Sequence, residues 1–227
     1  MAILKRVTIT VRGPRGPFSF SALAALPMAA RKPVPAFLLG CNRDPRVNMD
    51  PNSPVEFWDA PGIVRRGYAA VAFYFSDITP DYSDLPHYWE LDEKGCVDKR
   101  GLYRTRWNRE GVFKAFEDTD APRAGNAWGT ISAWAWAMSR VMDWIETEPA
   151  IDASRVAVVG HSRGGKTALL AGVTDPRFAM VCSNDSGCSG AKLNHVDLPA
   201  SEHVENITRM FPNWFCADYR KWAGREL

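Results

Sequence analysis

The stretch Arg155-Val156-Ala157-Val158-Val159-Gly160-His161-Ser162-Arg163-Gly164-Gly165-Lys166 decides the fold of this chain. Its first half is a β-branched apolar run, which is typical of a strand buried on both faces. The residues from 166 to 172 have the composition of a helix, with Gly172 near its end. We therefore predict a strand, a sharp turn and a helix, with Ser162 at the turn.

The turn contains the pentapeptide G-x-S-x-G, which places a serine at a strained corner between a strand and a helix. In this setting the hydroxyl of Ser162 projects above the edge of the sheet. Gly160 and Gly164 are expected to be glycines because side chains there would collide with the neighbouring backbone. The N–H of the residue after the serine points to the same space and can stabilise an oxyanion. Ser162 is therefore the predicted nucleophile.

The same residues fit a second motif, because residues 160–167 match G-x-x-x-x-G-K-[ST], the phosphate-binding P-loop. Asp185 would then be the acid that holds magnesium. Three observations weigh against this interpretation: the loop lies late in the chain, the gap to Asp185 is short, and glycines centred on a serine have no role in a P-loop. A nucleotide-binding protein is kept as the remote alternative.

The composition is that of a globular protein with a full core, since 46% of the 227 residues are hydrophobic and 24% are charged. No linker divides the chain, so residues 1–227 are predicted to form a single domain. A formal net charge of +2 is too small to indicate a nucleic-acid or membrane partner. Five cysteines without a CxxC or a His/Cys cluster indicate no disulfide framework, no metal and no cofactor.

Apolar patterns along the chain alternate between strand and helix. Strands are predicted at 6–11, 18–26, 35–40, 67–75 and 178–183, and helices at 57–66 and 130–148, the latter ended by Pro149. Such alternation predicts an α/β fold with a mostly parallel sheet between two helical layers. Residues 77–108 form a long loop whose aromatic residues could stack on a sugar or simply pack beneath the loop. They are Tyr88, Trp89, Tyr103 and Trp107.

A serine nucleophile needs a base, and the base needs an orienting acid. Asp185 follows the strand after the nucleophile strand and is therefore expected at the same sheet edge, although an Asx turn would explain it equally well. His87 precedes the serine and His161 lies in the turn itself, whereas His195 and His203 follow Asp185 but come before any further strand could return to the sheet edge, so each is expected to be a surface or packing residue. The four histidines are His87, His161, His195 and His203. We expect the C-terminal strands and the histidine loop of the fold to be missing from this chain.

Arg163 and Lys166 lie in the first turn of the predicted helix. The start of a helix carries a partial positive charge, so two cations there are unfavourable. Their presence indicates a site for negative charge, such as an acyl-transfer oxyanion, a carboxylated sugar or a phosphate. The alternative is that both side chains simply reach solvent.

Several blocks of the chain resemble the glucuronoyl esterases, carbohydrate esterase family 15. The resemblance covers the chain from about residue 34 to its C-terminus, with the blocks in the order and spacing of the family. The blocks are Ile131-Ser132-Ala133-Trp134-Ala135-Trp136, the Gly160-to-Lys166 core, Asp175-Pro176-Arg177-Phe178, Ser183-Asn184-Asp185-Ser186-Gly187-Cys188-Ser189-Gly190-Ala191 and Phe211-Pro212-Asn213-Trp214-Phe215-Cys216.

The resemblance implies an α/β-hydrolase fold and a metal-free serine esterase. Its substrate would be the ester between 4-O-methyl-glucuronic acid on xylan and a lignin alcohol. Ser162 would be the nucleophile, and Arg163 would contribute its side chain and N–H to the oxyanion hole. Lys166 and Glu202 would contact the sugar. Asp185 falls where many members have a catalytic glutamate.

The resemblance also places the family's histidine beyond the end of this chain, so residues 1–227 are expected to be a truncated domain with little or no activity. It implies a secreted or periplasmic location for the full-length protein. Two other functions stay open: an acetyl-xylan-type esterase, and a non-catalytic carbohydrate-binding relic that has lost its base. The sequence does not indicate an oligomeric state.

Overall fold

The computed structural model describes residues 1–44, 46, 49, 57–81, 110–196 and 201–225. Within them lies a six-stranded sheet in the order β1-β2-β4-β3-β5-β6. The first two strands form an antiparallel hairpin, β2 is antiparallel to β4, and the other pairings are parallel. The strands are β1 Ala2–Gly13, β2 Gly16–Pro27, β3 Val34–Cys41, β4 Ala69–Tyr74, β5 Ile151–His161 and β6 Met180–Asn184. The predicted parallel sheet is thus confirmed, with an antiparallel hairpin at one edge.

Helices cover both faces of the sheet. They are α1 Ala60–Arg65, α2 Phe75–Ile78, α3 Phe113–Phe116, α4 Thr130–Ile145, α5 Arg163–Thr174, α6 Val204–Met210 and a 3₁₀ helix at Ala217–Trp222. Successive strand residues point to opposite faces. Leu38 therefore packs in the large core against α4 and α5, whereas Leu39 packs in a smaller core against α1. This alternation produces the predicted three-layer α/β-hydrolase architecture.

Two predicted helices have different bounds in the structure. The helix predicted over 57–66 is present as α1, but it begins only at Ala60, and Pro61 does not interrupt it because it lies in the first turn, where a missing N–H is tolerated. Asp59 caps this helix by accepting a hydrogen bond from the N–H of Gly62 at 2.7 Å. Helix α5 extends from Arg163 to Thr174, so Gly172 lies near its end, as predicted. A Cβ at this position would lie 2.1 Å from the Cγ2 of Val181, so the glycine permits close helix–strand packing.

Helix α4 has the predicted start but ends at Ile145, ahead of Pro149. Its apolar stripe is core, since Trp134, Met138 and Met142 are at most 1% exposed. The indole N–H of Trp134 donates to the carbonyl of Phe75 in α2 at 3.1 Å and to that of Thr79, directly after α2, at 3.2 Å. The four aromatic residues of the long loop, for which sugar stacking and packing beneath the loop were both left open, lie outside the described residues, as does His87.

Asp175 and Arg177 form a salt bridge at the C-terminal end of α5, and its contribution to the free energy of unfolding should depend on pH. Arg177 donates to both carboxylate oxygens of Asp175, at 2.9 and 2.7 Å, and this lowers the pKa of Asp175 from 3.8 to about 2. A lowered carboxyl pKa stabilises the folded state above pH 3.8, and that stabilisation is lost as the pH falls towards 2. We expect Asp175→Asn to lower the free energy of unfolding by about 2 kcal/mol at pH 7 and by little near pH 2.

Urea unfolding at several pH values measures this difference. Asp152→Asn is the matched control, because Asp152 also accepts from an arginine, Arg155, but the pair lies at the surface, where solvent screens it, and should contribute much less to stability. A penalty for Asp175→Asn that is as large at pH 2.5 as at pH 7 would contradict this assignment.

Candidate active site

Ser162 alone forms the turn between β5, which ends at His161, and α5, which begins at Arg163. Its backbone has φ 54° and ψ −122°, a conformation that costs energy for any residue with a side chain. The Ser162 N–H donates to the carbonyl of Asn184 at 3.0 Å, which ties the turn to the end of β6. The side chain is exposed. A one-residue turn also leaves no loop that could wrap a phosphate, so the P-loop interpretation does not fit.

The two glycines of the pentapeptide differ in the space around them. A Cβ at Gly160 would lie 1.9 Å from the carbonyl oxygen of Gly164 and 2.1 Å from its carbon. A Cβ at Gly164 would find only ordinary contacts, the nearest being the oxygen of Gly40 at 3.4 Å. The expectation of a collision is confirmed for Gly160 and was wrong for Gly164, because Gly164 faces a gap between α5 and β3.

A cavity of about 440 Å³ lies over the carboxyl ends of β5 and β6. Four of the five predicted site residues line it, namely Ser162, Lys166, Asp185 and Glu202. Its other lining residues are Ser186, Gly187, Cys188, Lys192, Ser201, Ile207, Phe211 and Trp214. The structure therefore brings together groups that are up to 40 positions apart in the chain, as expected for side chains that follow neighbouring parallel strands.

Asp185 follows the last residue of β6 and has a positive φ of 46°. Because His161 pairs with Asn184 in the parallel register of β5 and β6, the residues after each, Ser162 and Asp185, emerge at the same sheet edge. The side chain is exposed and faces the cavity. Position and cavity suit the orienting acid of a triad, although the turn conformation also matches the structural alternative of a strand-closing turn.

Lys166 is buried beneath the cavity, with 5% of its surface exposed. Its ammonium donates to the carbonyl of Ser186. Burial lowers the pKa of Lys166 from its ordinary 10.5, and the nearby Glu202 carboxylate opposes this in part. A lowered lysine pKa means that the charged form destabilises the folded protein at neutral pH, and this cost disappears as the pH rises towards 10.5. The alternative that Lys166 simply reaches solvent is therefore wrong.

Glu202 is held by the turn that follows β6. Its Oε2 accepts a hydrogen bond from the N–H of Cys188 at 3.3 Å, and Lys192 donates to its backbone carbonyl at 2.6 Å. Gly187 has φ 57°, and a Cβ there would lie 2.5 Å from that Oε2. A side chain at position 187 would displace the carboxylate, so the glycine is required both for the turn and for the approach of Glu202.

Arg163 follows the nucleophile but its side chain does not line the cavity. Its Nε lies 3.1 Å from Oδ2 of Asp81, and only 15% of the side chain is exposed. The guanidinium carbon lies 5.9 Å from the ring centre of Trp214, which does line the cavity. The alternative that Arg163 reaches solvent is therefore wrong. Sequence reasoning missed Asp81, and it used Trp214 only as part of a family block.

No histidine is among the described residues that line the cavity. His161 has its Nδ1 2.9 Å from the side-chain amide of Asn184 and meets the edge of Phe57. His203 caps the start of α6, and His195 is exposed. The roles expected for these three histidines, packing or surface positions rather than catalysis, agree with these contacts.

Two other functional features are not found among the described residues, namely a cluster for a metal ion and a helix that could span a membrane. The described residues contain no group of three or more His, Cys, Asp or Glu side chains arranged to hold a metal ion. None of their helices has the length and apolar character needed to span a bilayer. A second cavity of about 670 Å³ lies between α6 and the 3₁₀ helix and contains none of the predicted site residues.

Comparison with known proteins links this chain to one family. A family model described as glucuronyl esterase, fungi, matches residues 123–225. A carbohydrate esterase from an unknown prokaryotic organism is 36% identical over 169 residues. That match covers 74% of this chain and 34% of the relative, so the chain spans about a third of its length.

Solved structures show the same likeness. A promiscuous family 15 carbohydrate esterase from the marine bacterial metagenome superposes with a TM-score of 0.75 and 29% identity, covering 99% of this chain and 57% of that one. A mutant glucuronoyl esterase from Sporotrichum thermophile, solved in complex with methyl 4-O-methyl-β-D-glucopyranuronate, has a TM-score of 0.63 at 20% identity, covering 98% and 52%. The second comparison shows a shared fold.

Proposed function

Because this chain belongs to the glucuronoyl esterase family, we propose that the whole protein is a serine esterase acting on 4-O-methyl-glucuronoyl esters that link xylan to lignin alcohols. The observation that carries the proposal is the exposed, strained Ser162 at the edge of a cavity whose floor holds Lys166 and whose wall holds Glu202. Members of this family are carboxylic ester hydrolases.

The geometry supports acyl transfer to Ser162. Its Oγ attacks the ester carbonyl while a base, oriented by Asp185, takes its proton. The developing oxyanion is stabilised by the N–H of Arg163 at the start of α5 and by the positive guanidinium behind it. The alcohol leaves with the proton, and water then attacks the acyl-enzyme to release the uronate and the free serine.

Lys166 and Glu202 supply the recognition of the sugar. A pyranose presents hydroxyl groups that both donate and accept hydrogen bonds. An ammonium that only donates and a carboxylate that only accepts can therefore fix one orientation of the ring. Both groups are anchored on the turn after β6, through Ser186 and Cys188 respectively. The Sporotrichum thermophile enzyme, which shares the fold, holds a methyl glucuronate ester.

The cavity favours a uronate over an acetyl ester. An acetyl group is too small to use a space of about 440 Å³, and it has no hydroxyl groups for a buried lysine or a tethered glutamate. A carbohydrate-binding protein without catalysis would need these two side chains but would have no use for a strained serine, which costs about 1–3 kcal/mol. The site therefore fits a uronate esterase best.

We expect Lys166→Met to separate these functions. The substitution removes the donor to the sugar, so the kcat/KM of the whole protein for benzyl glucuronate should fall about 10- to 100-fold, the discrimination that a missing buried hydrogen bond to a charged group produces. Hydrolysis of 4-nitrophenyl acetate, which has no sugar, should change less than about threefold. Initial rates with both esters measure the two effects.

Thermal unfolding at pH 7 is the control. Lys166→Met removes a buried charge whose desolvation is costly but also leaves the Ser186 carbonyl without its donor, so the free energy of unfolding should stay within about 1 kcal/mol of the original, and lost activity cannot then be ascribed to unfolding. Equal losses on both esters would refute recognition of the sugar by Lys166.

The two alternative functions make different predictions. Faster hydrolysis of acetylated xylan than of glucuronoyl esters would favour the acetyl-xylan-type esterase, and saccharide binding without turnover would favour the binding relic.

The proposed substrate also sets the location and partners of the protein. Xylan joined to lignin is a polymer that cannot enter a cell, so an enzyme that cleaves it is expected to be secreted or periplasmic. The proposal requires neither a nucleic-acid nor a membrane partner.

A further inference from the structure

Asp81 is a buried carboxylate that neither the sequence motifs nor the proposed mechanism uses. Its surface is 2% exposed, and it follows α2 at the carboxyl edge of the sheet. It does not line the cavity that contains Ser162. A buried ionised carboxylate is costly unless it is compensated, so its partners should reveal why it is there.

Two of its partners are functional side chains. Oδ2 of Asp81 lies 3.1 Å from Nε of Arg163, the residue after the nucleophile. The indole N–H of Trp214, which lines the cavity, points to both carboxylate oxygens at 3.2 and 3.3 Å. The guanidinium and the indole also contact each other, at 5.9 Å from the ring centre. One carboxylate thus connects the oxyanion side of the site with a wall of its cavity.

The backbone around this connection is fixed from several directions. The indole of Trp134 in α4 donates to the carbonyl of Thr79, two residues before Asp81. The first N–H groups of the same helix donate to the carbonyls of Asn213 at 2.9 Å and Trp214 at 3.1 Å. The N-terminal half of α4 therefore holds both the segment that carries Asp81 and the segment that carries Trp214.

Taking the proposed esterase function as its premise, we propose that Asp81 is a positioning residue for Arg163 and Trp214. It holds the guanidinium against the elbow, with its positive charge beside the place where the oxyanion forms, and holds the indole as a fixed wall of the cavity. An arginine side chain has several rotatable bonds, and without this carboxylate it would sample orientations directed towards solvent. A charge that is already held in the right orientation stabilises the transition state without any cost of reorganisation during the reaction.

Asp81→Asn tests the proposal, because it keeps the size of the side chain and removes the charge. Glu117→Gln is the matched control: Glu117 also accepts from an arginine, Arg123, and from an indole, that of Trp128, but outside the cavity. We expect Asp81→Asn to lower kcat for benzyl glucuronate about 10- to 100-fold with less than about a threefold change in KM. Glu117→Gln should leave both constants within about twofold.

NMR spectra of the two side chains test the proposal independently of catalysis. In ¹H–¹⁵N spectra the side-chain Nε–H signal of Arg163 and the indole signal of Trp214 should both shift in Asp81→Asn and stay in place in Glu117→Gln. Unchanged signals, or kinetic losses as large in Glu117→Gln, would overturn the proposal. If Ser162→Ala hydrolyses the ester as fast as the original protein, the esterase function fails, and the two signals still decide whether Asp81 orients its partners.

If Asp81→Asn does not fold, Trp214→Phe replaces it. This variant keeps the ring and removes the indole donor. The Nε–H group of Arg163 should become more mobile in ¹⁵N relaxation, whereas Trp128→Phe, the corresponding change in the control cluster, should not affect it. Equal mobility of Arg163 in the two variants would overturn the proposal.

Discussion

Ser162→Ala should abolish ester hydrolysis, lowering kcat for benzyl glucuronate in the whole protein by a factor of about 10³ to 10⁶. The reason is that Ser162 stands at the strained turn before α5 and lines the cavity, where its hydroxyl can attack the carbonyl carbon of a bound ester while the first N–H groups of the helix donate to the carbonyl oxygen. Binding of D-glucuronate should change less than about threefold, because the sugar contacts are left intact. Steady-state kinetics and calorimetric titration measure the two effects.

Ser189→Ala is the matched control for this substitution. Ser189 is also a serine with a positive φ, at 62°, and its hydroxyl shares a hydrogen bond with the hydroxyl of Tyr219 at 2.7 Å. It does not line the cavity, so its variant should keep at least about half of the activity. Equal activity of Ser162→Ala and the original protein would remove the serine from the mechanism and with it the proposed reaction.

Gly160→Ala should destabilise the fold by about 3 kcal/mol or more, the upper range for a single substitution. The added Cβ would lie 1.9 Å from the oxygen of Gly164 and 2.7 Å from the nitrogen of Gly165, both backbone atoms in the first turn of α5. Backbone atoms of a helix cannot move away as a flexible side chain can. The elbow would have to open, and Ser162 would lose its position. Urea unfolding at pH 7 measures the loss.

Gly164→Ala tests the same argument four residues later. Its Cβ would reach ordinary contact distance at 3.4 Å, and alanine is favoured over glycine within a helix by about 0.5–1 kcal/mol. We expect Gly164→Ala to be neutral or slightly stabilising. Similar losses in the two variants would show that the crowding around Gly160 is not what limits the substitution.

The strands and the strained turn at Ser162 were predictable because their signals are local. The apolar run before Gly160 is buried on both faces wherever it lies in a sheet, and the pentapeptide specifies a strained turn through its own residues. Lys166 and Asp185 were singled out from the start of a helix and the end of a strand, and Glu202 from the family resemblance. The structure places all three in the cavity with Ser162.

From the sequence we could therefore predict the αβα layers, the turn at Ser162 and the resemblance to the glucuronoyl esterases. Only the folded structure shows that Arg163 is paired with Asp81, a residue 82 positions earlier, and that Trp214 shares the same carboxylate. It also shows that a Cβ would collide with backbone atoms at Gly160 but would make only ordinary contacts at Gly164. Turns and strands are predictable because they depend on residues that are close together in the chain. The partner of a buried charge and the space beside a glycine depend instead on segments that are far apart in the chain and meet only when the sheet and helices pack.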